Sequence, residues 1–115
     1  GDSNGRSGNV DILASNYIII NESTITGYGD IGHCDDSGNC ERPGGNGNVL
    51  IQAQNITIND SSIDAHGGEG HCYGGDGDAY AEGGDGYLMI NATGTLIIGS
   101  NEANTFKTYG GDGGC

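Results

Sequence analysis

The sequence predicts an all-β chain: a right-handed parallel β-helix (β-solenoid) of three rungs with long Gly/Asp-rich loops, forming a single domain over residues 1–115. Three observations lead there. The segments GNVDILAS (8–15), GNVLIQAQ (47–54) and GYLMINAT (86–93) align without gaps at a spacing of 39 residues. Within each, an apolar residue recurs strictly at every second position, which marks a strand with one face buried. Most of the 25 glycines fall between these segments or in the C-terminal tail, where they punctuate the strands.

Taken in order, the first strand of each copy carries an inward set of Val10, Ile12 and Ala14, matched by Val49, Ile51, Ala53 and by Leu88, Ile90, Ala92. A second short strand follows, with Ile18/Ile20, Ile56/Ile58 and Leu96/Ile98 inward. A third begins at Ile25, Ile63 and Phe106, the last delayed by the insertion GSNEAN (99–104). From that point a ring lies three residues on (Tyr28, His66, Tyr109) and a cysteine nine residues on (Cys34, Cys72, Cys115). One such unit cannot bury its apolar side alone, whereas stacked units align like residues into columns. The expected rungs span about 8–29, 47–67 and 86–110, with glycine-rich loops at about 30–46 and 68–85.

The stretch GGNGNVLIQAQNITINDSSIDAHGGEG (44–70) resembles the glycine-rich β-helix repeats of secreted bacterial and archaeal surface proteins and adhesins. The likeness runs through all three copies. It implies the β-helical fold and says little about function, because that architecture carries enzymes, adhesins and structural polymers alike.

Charge narrows the partners. Three basic residues against 16 acidic ones give a formal net charge of −13, so there is no cationic surface for nucleic acid. The longest aliphatic run, from Tyr17 to Ile20, is far too short for a membrane span. With no secretory leader in view, the chain reads as a processed product or a fragment of an extracellular or cell-surface protein.

Catalysis is not expected. The outward first-strand columns read Asp11/Leu50/Met89 and Leu13/Gln52/Asn91, without paired carboxylates, and the basic residues are Arg6, Arg42 and Lys107. General acid–base chemistry has little to work with there. An ice-binding face fails too: Thr24-Ile25-Thr26 has Ser62-Ile63-Asp64 and Thr105-Phe106-Lys107 as its counterparts.

Calcium is the one cofactor the composition invites. The tetrapeptide GG[ND]G recurs at 44, 74, 83 and 110, and residues 74–86 resemble the calcium-binding nonapeptide G-G-x-G-x-D-x-U-x. The sixth position, however, is Ala79, with the acid displaced to Asp78. A looser calcium site would draw on Asp35, Asp36, Glu69, Asp76, Asp78, Asp85 and Asp112, which supply oxygen ligands of the preferred kind; the competing reading is a solvated acidic surface. Four Asn-x-Ser/Thr sequons, at Asn21, Asn55, Asn59 and Asn91, mark glycosylation sites if the source modifies exported proteins. For Asn21 and Asn59, which occupy equivalent turns, an asparagine ladder competes.

The cysteines admit two chemistries. His33-Cys34 and His71-Cys72 offer imidazoles and thiolates for zinc, but adjacent residues do not readily turn toward one ion and the C-x2-C spacing is missing. Disulfides suit an exported, acidic, core-poor chain. Among the three intramolecular pairings of Cys34, Cys40, Cys72 and Cys115 the preferred one is Cys34–Cys40 with Cys72–Cys115; in the competing scheme Cys115 reaches the next molecule.

The functional expectation follows from the ends. A three-rung stack without a helix or charged cap exposes strand edges and apolar columns. The chain is therefore expected to be a structural subunit that self-assembles by rung-on-rung stacking into an extracellular filament, fibre or sheath, its partner being itself, with surface glycans as a further partner. Outward-pointing Leu13, Ile19, Leu50, Met89 and Ile97 would form its lateral interface. The alternatives are an excised segment of a larger β-helical adhesin and a calcium-binding surface module.

Overall fold

The computed structural model describes residues 3–34, 40–73, 81–99 and 104–113, which hold no helix. Nine strands are formed by them: β1 (Gly8–Leu13), β2 (Tyr17–Asn21), β3 (Thr24–Tyr28), β4 (Cys40–Arg42), β5 (Gly47–Asn59), β6 (Ser62–His66), β7 (His71–Tyr73), β8 (Gly86–Ile98) and β9 (Thr105–Tyr109).

These strands correct the predicted three-rung β-helix. They fall into three small, separate sheets, none of which closes. In the four-stranded sheet β1 and β2 pair with successive halves of β5, whose other side takes β8, all parallel. The second sheet is β3-β6-β9, also parallel. The third, β4 with β7, is antiparallel. The physical reason lies in the segments between strands. Much of each repeat is glycine-rich backbone that hydrogen-bonds to other glycine segments outside any sheet, and β4, between β3 and β5, pairs antiparallel with β7 instead of joining the parallel sheets.

Pairing inside the parallel sheets follows the repeat. Gly8, Val10 and Ile12 lie opposite Gly47, Val49 and Ile51, which lie opposite Gly86, Leu88 and Ile90. In β5 the buried positions are Val49, Ile51 and Ala53, then Ile56 and Ile58. The change of phase at residues 54–55 is where β1 and β2 separate on one flank and where the β5–β8 register shifts on the other. An extra residue accommodates that bend in the first and third copies.

The core is one cluster centred on the middle copy: Val49, Ile51, Ile56, Ile58, Ile63 and Ala65, with Ile18 and Ile20 from the first copy. Val10, Ile12, Ile25, Leu88, Ile90 and Phe106 pack against it, partly buried. β-Branched side chains suit a pleated surface of this kind.

The turn from the second to the third strand is built identically twice. Glu22 (φ 49°) and Asp60 (φ 50°) adopt the left-handed conformation, which aspartate tolerates better than most side chains and glutamate does not. Ser23 and Ser61 donate their hydroxyls to the Asn21 and Asn59 carbonyls at 2.8 and 2.7 Å. Serine oxygens, with Asn104 in the third copy, then link the copies: Ser23 N–H donates to Ser61 Oγ at 3.1 Å and Ser61 N–H to Asn104 Oδ1 at 3.0 Å. The ladder expected of the Asn21 and Asn59 side chains is thus carried two residues later in the same turn, by Ser61 Oγ and Asn104 Oδ1.

Candidate functional site

The glycine segments form the second half of the architecture. Those leading into β1, β5 and β8 alternate in space with those leading out of β3, β6 and β9. Asp30 N–H donates to Arg6 O, Gly45 to Asp30, Gly68 to Gly45, Gly84 to Gly68 and Gly111 to Gly84, all within 2.8–2.9 Å. One run of backbone hydrogen bonds therefore crosses all three copies beside the sheets. Glycines in each segment recur at i and i+3, as in Gly44/Gly47, Gly67/Gly70 and Gly83/Gly86, the period of a threefold extended helix whose crowded side admits only glycine. Packing is that close here: a Cβ on Gly45 would overlap Arg6 O, and one on Gly84 would overlap Gly45 O. The GG[ND]G signal at 44, 83 and 110 belongs to this layer; its copy at 74 lies outside the described residues.

Among the described residues no further strand pairs with either end of the repeat. On one side β1, β2 and β3 are edge strands; on the other β8 and β9 are. Equivalent positions differ sharply in exposure. Ile56 and Ile58 of the middle copy are 1% and 0% exposed, whereas Leu96 and Ile98 of the third are 45% and 46%. The aromatic column also ends there: His66 lies between Tyr28 and Tyr109, with ring centroids 5.2 and 5.3 Å away, and the outer faces of the stack have no further ring among the described residues. Both tyrosines are exposed.

The predicted lateral residues occupy the outer sheet face. Leu13, Ile19, Met89 and Ile97 are exposed and Leu50 is half-buried. Register brings Leu50 beside Met89 and places Thr57 between Ile19 and Ile97, while Leu13 stands next to Gln52. They form two apolar spots interrupted by polar residues.

Of the seven predicted calcium ligands, Asp35, Asp36, Asp76 and Asp78 lie outside the described residues. Glu69, Asp85 and Asp112 are exposed, and no three His, Cys, Asp or Glu among the described residues gather as a metal site. Asp85 instead accepts a hydrogen bond from Tyr87 Oη at 3.1 Å, which raises the Tyr87 pKa. Cys34 and Cys40 form a disulfide, with Cα atoms 5.9 Å apart, and Cys72 is disulfide-bonded as well, so the thiolates that zinc would need are consumed. Cys115 lies outside the described residues. Of the sequons, Asn21 and Asn91 are exposed and Asn55 and Asn59 half-buried; the hydroxyl of the Asn59 sequon, on Ser61, is buried in the ladder.

Sequence reasoning missed the serine links, the Asn48 Nδ2 to Asn9 Oδ1 bond of 2.7 Å and the Asp30 N–H to Arg6 O bond that opens the glycine layer. The repeated GNV and IN[ED]S[ST]I signatures carried the first two signals. No helix among the described residues is long and apolar enough to cross a membrane. No family model, curated protein or solved structure matches the chain.

Proposed function

We propose that the chain is a structural subunit whose copies join end to end, the β8/β9 edge of one molecule pairing with the β1–β3 edge of the next, to build an extracellular filament or sheath. The observation that carries this reading is the half-exposure of Leu96 and Ile98 beside an unpaired strand edge, in columns that are fully buried one copy earlier. The same register, continued, would set Leu88 and Ile90 against Val10 and Ile12, Leu96 and Ile98 against Ile18 and Ile20, and Tyr109 against Tyr28 of the following molecule. Such a contact is heterologous and does not close, so it propagates. The oxidised cysteines favour an extracellular or cell-surface setting. Leu50 with Met89 and Ile19 with Ile97 supply apolar spots for side-by-side contact, and exposed Asn21 and Asn91 could carry or meet glycans.

Sedimentation velocity and electron microscopy of the full chain test the proposal. Filaments are expected, and the charged variant Ile98→Lys should remain monomeric while keeping its fold. A monodisperse native monomer at every concentration overturns it. The same open edge would also serve a further copy within a longer adhesin, a case the intact mass of the natural protein distinguishes.

A further inference from the structure

Two positions break the glycine pattern, and both lie at the first-copy end. Arg6, Gly45 and Gly84 are equivalent, 39 residues apart, and Asp30, Gly68 and Gly111 are equivalent in the outgoing segments. In the later copies these sites demand glycine, because each Cβ would point at the preceding copy: Gly45 at Arg6 O, Gly84 at Gly45 O, Gly68 at Asp30 O and Gly111 at Gly68 O. Arg6 and Asp30 carry side chains where a preceding molecule would sit. A glycine layer therefore cannot run on at the same spacing from one molecule to the next. At the opposite end, Gly29 and Gly67 would strike the Gly45 and Gly84 carbonyls, yet their counterpart Gly110 meets nothing among the described residues nearer than 3.7 Å. Asp85 and Asp112 stand exposed in the segments beside it.

We propose that Arg6 is the charged anchor of the joint between copies, its guanidinium pairing with Asp85 and Asp112 of the preceding molecule where the two glycine layers part. This rests on the end-to-end reading above. The alternation places it there. Gly45 lies between Asp30 and Gly68, and Gly84 between Gly68 and Gly111, so an incoming Arg6 follows the Gly111–Asp112 segment and stacks over Gly84–Asp85. Arginine's planar fork suits paired carboxylates. It is one of three basic residues against 16 acidic ones, and it offsets Asp30, which enters the same gap.

The critical concentration for assembly of the full chain is the readout. Arg6→Asp and Asp112→Arg should each raise it about tenfold, the equivalent of about 1.4 kcal/mol, and the combined charge swap should bring it back toward wild type. Both side chains are exposed, so circular dichroism of the unassembled chain should not change. A wild-type filament indifferent to Arg6→Asp, or a double variant no better than the two singles combined, overturns the anchor and leaves end-to-end assembly standing. A wild-type chain that never assembles overturns both.

Discussion

Ser61 Oγ accepts the backbone N–H of Ser23, 38 residues earlier, at 3.1 Å while donating its own proton to the Asn59 carbonyl at 2.7 Å. It is 2% exposed, so water cannot replace it. Ser61→Ala would leave the Ser23 N–H without its acceptor beside the left-handed Asp60, while the Asn59 carbonyl keeps the Glu22 N–H at 3.0 Å. The expected cost is about 1–3 kcal/mol, seen as a lower urea midpoint. Ser23→Ala, at an exposed position, should cost well under half as much.

Glycine content is a steric requirement in one place and a matter of indifference in another. A methyl group on Gly45 would overlap backbone at Arg6 and Gly5, and neither can retreat without breaking the hydrogen-bonded layer. Gly45→Ala should therefore prevent stable folding or lower the melting temperature severely. Gly110→Ala, whose nearest neighbour among the described residues is at 3.7 Å, should cost no more than about 0.5 kcal/mol and so leave the melting temperature of the unassembled chain within about 2–3 degrees. Equal losses at the two sites would contradict the layered packing.

The contrast between sheets and glycine layer explains what the sequence made legible. Strand register was legible because side chains report it: Val10, Val49 and Leu88 repeat at 39 residues with period-two alternation, and Tyr28, His66 and Tyr109 fall into one column. The glycine layer was not, because it is held by backbone groups that every residue possesses. Its only trace is a threefold spacing too short in each segment to stand out from a turn. The same blindness misled the fold prediction. Gly-rich stretches read as passive loops leave nothing to compete with stacked rungs, whereas the chain divides into separate sheets flanked by a layer of its own. Arg6 and Asp30 became visible only against that layer, as the two side chains in a row of glycines.

Tyr87 offers a titration that isolates one contact. Its phenol donates to Asp85 Oδ2, and that bond, reinforced by the carboxylate's negative charge, raises its pKa above the ordinary 10.0. Raised in the folded state, the group favours folding in its protonated form. This contribution is complete below the unfolded pKa and fades as pH rises through the folded value. In an ultraviolet titration Asp85→Asn should move the ionisation of Tyr87 to lower pH. An unchanged curve would mean the hydrogen bond is absent in solution.

The Cys34–Cys40 disulfide should act locally. It closes a loop with a sequence separation of only 6, for which chain entropy predicts about 2 kcal/mol. Both cysteines are buried, and they sit where few apolar side chains assist. Cys40 opens β4, whose antiparallel partner is β7; Cys34 follows His33, which exchanges two backbone hydrogen bonds with Ser3; and Cys34 Sγ lies 3.4 Å from the His71 carbonyl oxygen. The main core touches none of these groups: Ile51, Ile58 and Ile63 are held by the parallel sheets. Replacing Cys34 and Cys40 together by serine should therefore speed amide exchange at Ser3, His33, Cys40–Arg42 and His71–Tyr73 by an order of magnitude or more, consistent with about 2 kcal/mol of lost local stability. Amides of Val49, Ile51, Ile58 and Ile63 should keep their protection, since the glycine layer and both parallel sheets remain intact. A uniform rise in exchange across all of these positions would show instead that the disulfide holds the whole chain, and that β4 and β7 belong to one cooperative unit with the core.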